Sequence, residues 1–369
     1  MNMLNTIRSY VYSIFDAIAD PEERRAAYIH SFGVAQCCAL LAAKRGLDAE
    51  LASAIGLLHD VYSYKTGHKR LHGPDGAEML RVAFKYALRG VFSDGEQTIV
   101  KSAVHHHSDK AHVHDAYDEL LKDCDVLQHY LFDVSSDEFA GPRLTNVGRE
   151  LSVAVPQRPA RALLYTRSTE FGRAALADIA EDLAGRQIVG ERSNAEYTRV
   201  IRYFPEDSAF DELRHAWCAA FVYHCCQEAG LKLPLRAPHT ARMLADTRFA
   251  CVVAWYEWGA RKGYLHYEKD GFDPLRGDIV IYNGIIPPER KPPDGAWCDH
   301  IGIVLACGAD ALTAAEGNRD HTNASGIVTR QRDQTIGCYL RIPENCVYDD
   351  WKVDFKSGEI RMEEYGGDP

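Results

Sequence analysis

The sequence predicts a two-domain protein, an all-α helical bundle followed by an α+β domain with a small antiparallel sheet. Three observations carry that expectation. The chain has 369 residues, more than one hydrophobic core usually serves. Apolar residues recur at spacings of three and four from Pro21 to about Asp133. From about Asp278 the period becomes two, in short runs separated by Gly, Pro and Asn.

The elements follow in chain order. Met1 to Asp20 reads as an amphipathic helix, interrupted by Arg8, Asp16 and Asp20, and not as a signal peptide. Pro21, then Glu22 and Glu23 in a first turn, and Gly46 at the far end bracket a helix with a buried stripe of Ala27, His30, Val34, Cys37 and Leu41. A second helix runs from about Asp48 to Asp60 with Leu51, Ile55, Leu58 and His59 inward. A polar loop over 62–67 precedes His72-Gly73-Pro74, which opens another helix. Glu96 to His107 keeps Ile99, Val100, Ala103 and Val104 on one face, and that face reaches His107. His105 belongs to a solvated run on this reading. Asp115 to Asp133 buries Leu120, Cys124, Leu127 and Leu131, with Asp125 bordering them.

Residues 1–135 thus form the first domain and 136–168 a connector or irregular extension, rich in Ser, Gly, Pro and Arg. The second domain occupies 169–345 and 346–369 is a C-terminal tail. It starts with a helix from Thr169 to Ala184. A further helix carries Cys218, Phe221, Val222, Cys225 and Ala229 and stops at Gly230. Strands are expected at Asp278–Tyr282, His300–Leu305, Ala311–Ala315, Ile327–Gln331 and Ile336–Ile342. The proline-rich loop from Gly284 to Cys298 is expected to border a cleft.

A net charge of −11 argues against stable nucleic-acid binding or a membrane surface, both of which need clustered Lys and Arg. No stretch reads as long enough to span a membrane. Eleven cysteines without C-x-x-C spacing fit reduced thiols, so a cytoplasmic location is expected. Oligomeric state is not legible.

His30, His59, Asp60 and Asp125 offer two imidazoles and two carboxylates from three helices, a donor set for a divalent first-row ion. His72 and His107 would complete a second site, with Asp60 able to bridge. Such an ion polarises a phosphoryl oxygen and acidifies a water, so phosphoester hydrolysis is the natural reaction and a small phosphorylated compound the substrate. The pattern His30, His59-Asp60, Asp125, over roughly residues 20 to 135, resembles the HD superfamily of metal-dependent phosphohydrolases. In members with a second metal, extra His fall between the His-Asp pair and the final Asp, where His72 and His107 stand. One or two ions are therefore expected. The donors do not discriminate among Mn, Fe, Co, Ni, Zn and Mg.

Cys218 follows Trp217 at a helix start, where unpaired N–H groups and the helix dipole favour negative charge on the sulfur. Such a nucleophile needs a His and a group to orient that His. Asp299-His300-Ile301-Gly302 puts a His at the first position of a strand, and Glu316-Gly317-Asn318 closes the next. These stretches, with Trp217-Cys218-Ala219-Ala220 and Gly277-Asp278-Ile279-Val280, resemble the CHAP and NlpC/P60 group of papain-like amidases and peptidases, over about residues 185 to 345. The resemblance implies Cys218 as nucleophile, His300 as general base and Glu316 as orienting acid, with Asn318 as alternative or helper, acting on a peptide or amide. His321 is a weaker candidate base. Many of that group cleave peptidoglycan after export with wall-binding repeats, and the chain shows neither an export signal nor repeats.

The expectation for the whole is a bifunctional hydrolase. Three alternatives stay open: a phosphohydrolase whose second half only binds a ligand, a metal-holding sensor or scaffold without turnover, and a lytic enzyme released by another route.

Overall fold

In the computed structural model, which describes residues 2–135, 141–155, 170–239, 248–286, 299–348 and 351–362, a short helix α1 (Met3–Phe15) precedes α2 (Pro21–Arg45). The Asp20 carboxylate caps α2 by accepting the N–H groups of Glu22 and Glu23, and Gly46 ends it at φ +71°. Asp48 caps α3 (Ala49–Leu58) in the same way. Then come α4 (Val61–Thr66), α5 (His72–Ala83), α6 (Asp94–His106) with a Ser93/Glu96 capping box, α7 (Ala116–Phe132) and α8 (Pro142–Leu151). α2 lies against both α3 and α7, and α6 against α5 and α7.

The approach of α2 to α3 depends on Gly56. A Cβ there would stand 2.6 Å from Ala35 Cα, inside the van der Waals distance of backbone. α3 can therefore bring its C-terminal end, with His59, down onto α2.

Five expectations for this region need correction. The stretch 62–67, expected as a polar loop, is taken up by α4, because Val61, Tyr62, Ser63 and Thr66 turn into the bundle and are buried. Leu131 is 57% exposed, because the last turn of α7, with Leu131 and Phe132, extends past its packed length. His105 is half-buried and not solvated, and burial pushes its imidazole down to about 3. The described part of 136–168 contains α8, an ordered extension tied down where Arg143 reaches Glu119 and Asp123 and where Arg45 reaches Asp123 and Glu150. The rest of that segment lies outside the described residues. Finally, α2 is long and apolar enough to cross a membrane by length and composition. Its apolar residues Ala27, Val34, Cys38 and Leu41 are fully buried as the core helix of this bundle, with charged residues at both ends.

The chain divides into two compact units, Met1–Arg167 with Phe355–Gly358, and Ser168–Asp354 with Glu359–Pro369. The second unit holds helices α9 (Arg173–Gly185), α10 (Ala195–Ile201), α11 (Ala209–Leu213), α12 (Cys218–Glu228) and α13 (Val252–Lys262). Its strands are β1 (Leu265–His266), β2 (Ile279–Tyr282), β3 (His300–Cys307), β4 (Ala311–Glu316), β5 (Gly326–Gln331), β6 (Ile336–Leu340), β7 (Trp351–Val353) and β8 (Ile360–Met362). The first six form an antiparallel sheet in the order β1-β6-β2-β3-β4-β5, and β7 pairs with β8. α12 and α9 pack on β3 and β4. Val280, Tyr282, Val304, Leu312, Ala314, Ile336 and Tyr339 make one buried cluster of the sheet.

Five expected strands match β2 to β6 to within two residues. Short elements were not foreseen. α10 and α11 are too short for a helical period to register, and β1, β7 and β8 are two or three residues long. The expected tail thus contains a hairpin. α13, with Trp255 and Trp258 buried, also lies in a stretch without an expected element. Of the loop 284–298, residues 287–298 lie outside the described residues. Its start is fixed where Gly284 and Ile286 N–H donate to the Asp299 carboxylate.

Gly56→Ala is expected to cost about 1–3 kcal/mol of stability, the usual scale of overpacking. A thermal or denaturant melt checks it, and an unchanged midpoint would refute the close approach of α2 and α3.

Candidate functional site

In the first unit, helix ends deliver most of the polar cluster. His59 follows the last residue of α3 and His107 the last of α6, while His72 opens α5. The last carbonyls of a helix lack intrahelical donors. Here they accept from imidazole: His59 Nδ1 donates to Gly56 O at 2.8 Å and His107 Nδ1 to Val104 O at 2.6 Å. His72 Nδ1 donates to Lys69 O at 2.7 Å, and His30 Nδ1, on α2, to Gln128 Oε1 at 2.6 Å. A carbonyl oxygen can only accept, so all four Nδ1 atoms carry the proton. All four Nε2 atoms present bare lone pairs.

Those lone pairs converge on two carboxylates. His30 Nε2 and His59 Nε2 stand 3.7 and 3.6 Å from Asp60 Oδ2, and His30 Nε2 is 3.4 Å from Asp125 Oδ1. His72 Nε2 and His107 Nε2 stand 3.4 and 3.3 Å from the other oxygen, Asp60 Oδ1. Asp60 thus turns one oxygen to each of two donor groups. Burial pushes His30 and His59 down, which keeps them neutral. Burial opposes charge on Asp125 as well, but the neighbouring Lys110 ammonium outweighs it and holds that carboxyl well below the usual range.

The arrangement fits a divalent cation. His30 Nε2 and His59 Nε2 face each other at 3.1 Å with no proton between them, and Asp60 Oδ1 and His107 Nε2 are buried without a hydrogen-bond partner. Acceptors crowded in this way repel unless a cation sits among them. His30, His59 and Asp125 are close enough to hold one ion, and so are His59, Asp60 and His107. The sequence-derived set of His30, His59, Asp60, His72, His107 and Asp125 is therefore brought together.

Sequence reasoning missed three neighbours. Gln128 and His129 lie one turn beyond Asp125 on α7, a spacing of three and four that would have flagged them. Gln128 orients His30, and His129 Nε2 is 3.5 Å from Asp125 Oδ1. Lys110, whose Nζ is 2.7 Å from Asp125 Oδ2, carried no sequence signal.

In the second unit, Cys218 is the first residue of α12 and is 5% exposed. His300 opens β3 and Glu316 closes β4, both fully buried. The register pairs Ile303 with Ala315 and Val304 with Ala314, so Glu316 falls opposite Gly302 and one step along from His300 on the same face. Gly302 leaves the space that Glu316 fills: a Cβ there would lie 2.9 Å from Glu316 Cγ.

His300 Nε2 donates to Glu316 Oε2 at 2.9 Å, which leaves Nδ1 as the basic nitrogen, buried and otherwise unpartnered. Burial works against charge on His300, but the Cys218 sulfur and then Glu316 outweigh it and lift the imidazolium to about 10. Burial likewise opposes charge on Glu316, and the hydrogen bonds from His300 and Arg330 reverse that and hold it below its ordinary value.

Asn318 does not reach His300. Its Nδ2 donates to His215 O at 2.7 Å and its Oδ1 accepts from Asn323 N–H at 2.9 Å, so it shapes the turn beside Cys218 while Glu316 takes the orienting position. His321 stands beside His300, ring centroids 5.6 Å apart. Asp278 accepts from Leu275 N–H and pairs with Arg341, closing the turn into β2.

Two outcomes are expected from this geometry. Gln128→Leu removes the acceptor that orients His30 and lowers metal affinity by about 10–100-fold, the usual effect of losing such a partner; titration of the chelator-stripped chain with Zn or Mn checks it, and unaltered affinity would count against His30 as a ligand. The second concerns pH. His300 is raised on folding, so its contribution to stability is complete below about 6.5 and is lost as pH rises through about 10. Glu316 is lowered, so its contribution is present above 4.5 and is lost as pH falls through its lower folded value. Denaturant midpoints should therefore fall more steeply between pH 6.5 and about 10 for the wild type than for Glu316→Gln, and equal slopes would contradict the pairing.

The HD domain family matches residues 27–129 and the CHAP domain family residues 210–318. No curated protein and no solved structure matches the chain. HD domains bind divalent metals, and domains of both kinds are typically hydrolases. The chain is a fusion of an N-terminal HD domain and a C-terminal CHAP domain.

Proposed function

We propose that this chain is a bifunctional hydrolase. The HD domain hydrolyses a phosphoester of a nucleotide or another small phosphorylated compound with one or two divalent ions. The CHAP domain hydrolyses a peptide or amide bond with Cys218, His300 and Glu316. For the first activity the supporting observation is the division of the Asp60 carboxylate, one oxygen toward His30 and His59 and the other toward His72 and His107. For the second it is the Nε2 bond from His300 to Glu316, which leaves Nδ1 for Cys218.

His30, His59, Asp60 and Asp125 would hold the first ion, and Asp60, His72 and His107 the second. Ions bound there supply Lewis acidity, drawing charge from a phosphoryl oxygen and making a water more acidic. The protein's part is orientation: backbone carbonyls and Gln128 keep each Nε2 pointed inward, so no imidazole must rotate as the substrate binds. Lys110, 35% exposed beside Asp125, places a positive charge where a phosphate oxygen can approach.

At Cys218 the sulfur attacks a carbonyl carbon and His300 Nδ1 passes its proton to the departing amine. His300 then takes a proton from the water that releases the acyl group. Glu316 keeps the ring in one tautomer and opposes the imidazolium charge. A cytoplasmic location is part of this reading. None of the ten cysteines among the described residues is in a disulfide, which suits a reducing compartment.

Metal analysis of the purified chain, alongside His72→Ala, His107→Ala and Asp60→Ala, tests the proposal together with assays on phosphoester and peptide panels. The wild type should hold two ions, the two histidine variants one, and Asp60→Ala should lose phosphoester hydrolysis while peptide or amide hydrolysis persists. Cys218→Ala should show the reverse loss. A wild type that neither retains nor takes up metal would overturn the first half, and amide hydrolysis undiminished by Cys218→Ala the second.

A further inference from the structure

Glu316 is bound from two sides. His300 Nε2 reaches Oε2 at 2.9 Å. From the neighbouring strand β5, Arg330 grips the same carboxylate with both arms of its guanidinium, Nη2 to Oε2 at 2.6 Å and Nε to Oε1 at 3.1 Å. β5 is the edge strand, where an arginine could face water without cost. Arg330 instead turns inward: its register partner on β4 is the buried Leu312, its side chain is 14% exposed, and the guanidinium carbon lies 5.1 Å from the centre of the Tyr282 ring. On its outer side it meets Asp320 at 2.8 Å. Charge therefore alternates along a row, from His300 through Glu316 and Arg330 to Asp320, with the Cys218 sulfur beside its His300 end.

One cation would be enough to neutralise a buried carboxylate, and His300 in its charged form is already that cation. A second, bidentate one has two consequences. It fixes the rotation of the carboxylate, because a planar fork admits one orientation. It also divides the negative charge of Glu316 between two partners, so that less of it bears on His300. We propose that Arg330 is a positioning residue of the Cys218 centre, locking Glu316 and moderating its pull on His300 so that the imidazolium can release its proton to the departing amine. The inference rests on Cys218 as nucleophile.

The groups facing Glu316 are His300 from β3, Arg330 from β5 and the Tyr282 hydroxyl from β2, where burial holds the phenol in its neutral form. Cys218 from α12 and His321 beyond β4 face His300. Of these, only Arg330 carries a permanent charge, so its removal has one sign. Without it, Glu316 bears more strongly on His300 and the guanidinium no longer repels the imidazolium. Both effects hold the proton on His300 to higher pH.

The rate at which iodoacetamide alkylates Cys218, followed by mass spectrometry of its peptide against pH, reads this without a substrate. For a thiolate and imidazolium pair the wild-type profile has two inflections, the upper one reporting His300. In Arg330→Gln, which keeps hydrogen bonds but not charge, the upper inflection should move up by about one pH unit, the lower end of what a charge within about 4–6 Å does, since Arg330 and His300 share Glu316 Oε2. In Arg330→Lys, which keeps charge but not the fork, it should move by less than half as much. Thermal melts of both variants establish that they fold. An Arg330→Gln profile that coincides with the wild type, or an Arg330→Lys profile displaced equally, overturns the role of Arg330 and leaves Cys218 as nucleophile standing. A wild-type profile with the single inflection of an ordinary thiol overturns both.

Discussion

The HD domain depends on a use of helix ends. An α-helix finishes with carbonyls that have no partner, and here the ends of α3 and α6 give theirs to the Nδ1–H of His59 and His107. One hydrogen bond satisfies an orphan acceptor, selects a tautomer and aims the lone pair of Nε2. His72, on the Lys69 carbonyl, repeats the device in front of α5, and Gln128 supplies the missing carbonyl for His30 in the middle of α2. The packing follows from this. α3 must descend onto α2 until His59 meets His30, and Gly56 permits it by leaving Ala35 uncovered.

The CHAP domain solves a different problem with the same economy. The first centre gathers acceptors and so calls for a cation from outside. The second gathers charges of alternating sign and is complete without one. His300 and Glu316 are both fully buried, where either charge alone would be costly. Each is made tolerable by the other, with Cys218 at one end of the row and Arg330 at the other. The sheet register makes this possible, since Glu316 stands across from a glycine and diagonal to His300.

Much of this was legible in the residues. The inward face of α2 located His30, the turn after Leu58 located His59 and Asp60, and the strand pattern placed His300 and Glu316 at element ends. Leu131 and His105 were misread for one reason: periodicity and spacing say which side of an element a residue occupies, not whether anything covers that side. Leu131 lies on the apolar side of a turn that the described residues leave exposed. Asn318, expected as an alternative or helper, is two residues from the carboxylate that accepts from His300, and its amide is spent on the loop.

The sequence by itself determined the order of the two domains, the periods of their elements and the chemical type of each centre, because ligand type and helical or strand spacing are local properties. Only the tertiary structure decided that four imidazoles from four chain positions divide between the two oxygens of Asp60, that Gln128 and Lys110 attend the cluster, and that Arg330 stands behind Glu316. Those relations depend on distances between elements far apart in the chain, and such distances are set by packing and register, to which no single stretch of sequence answers.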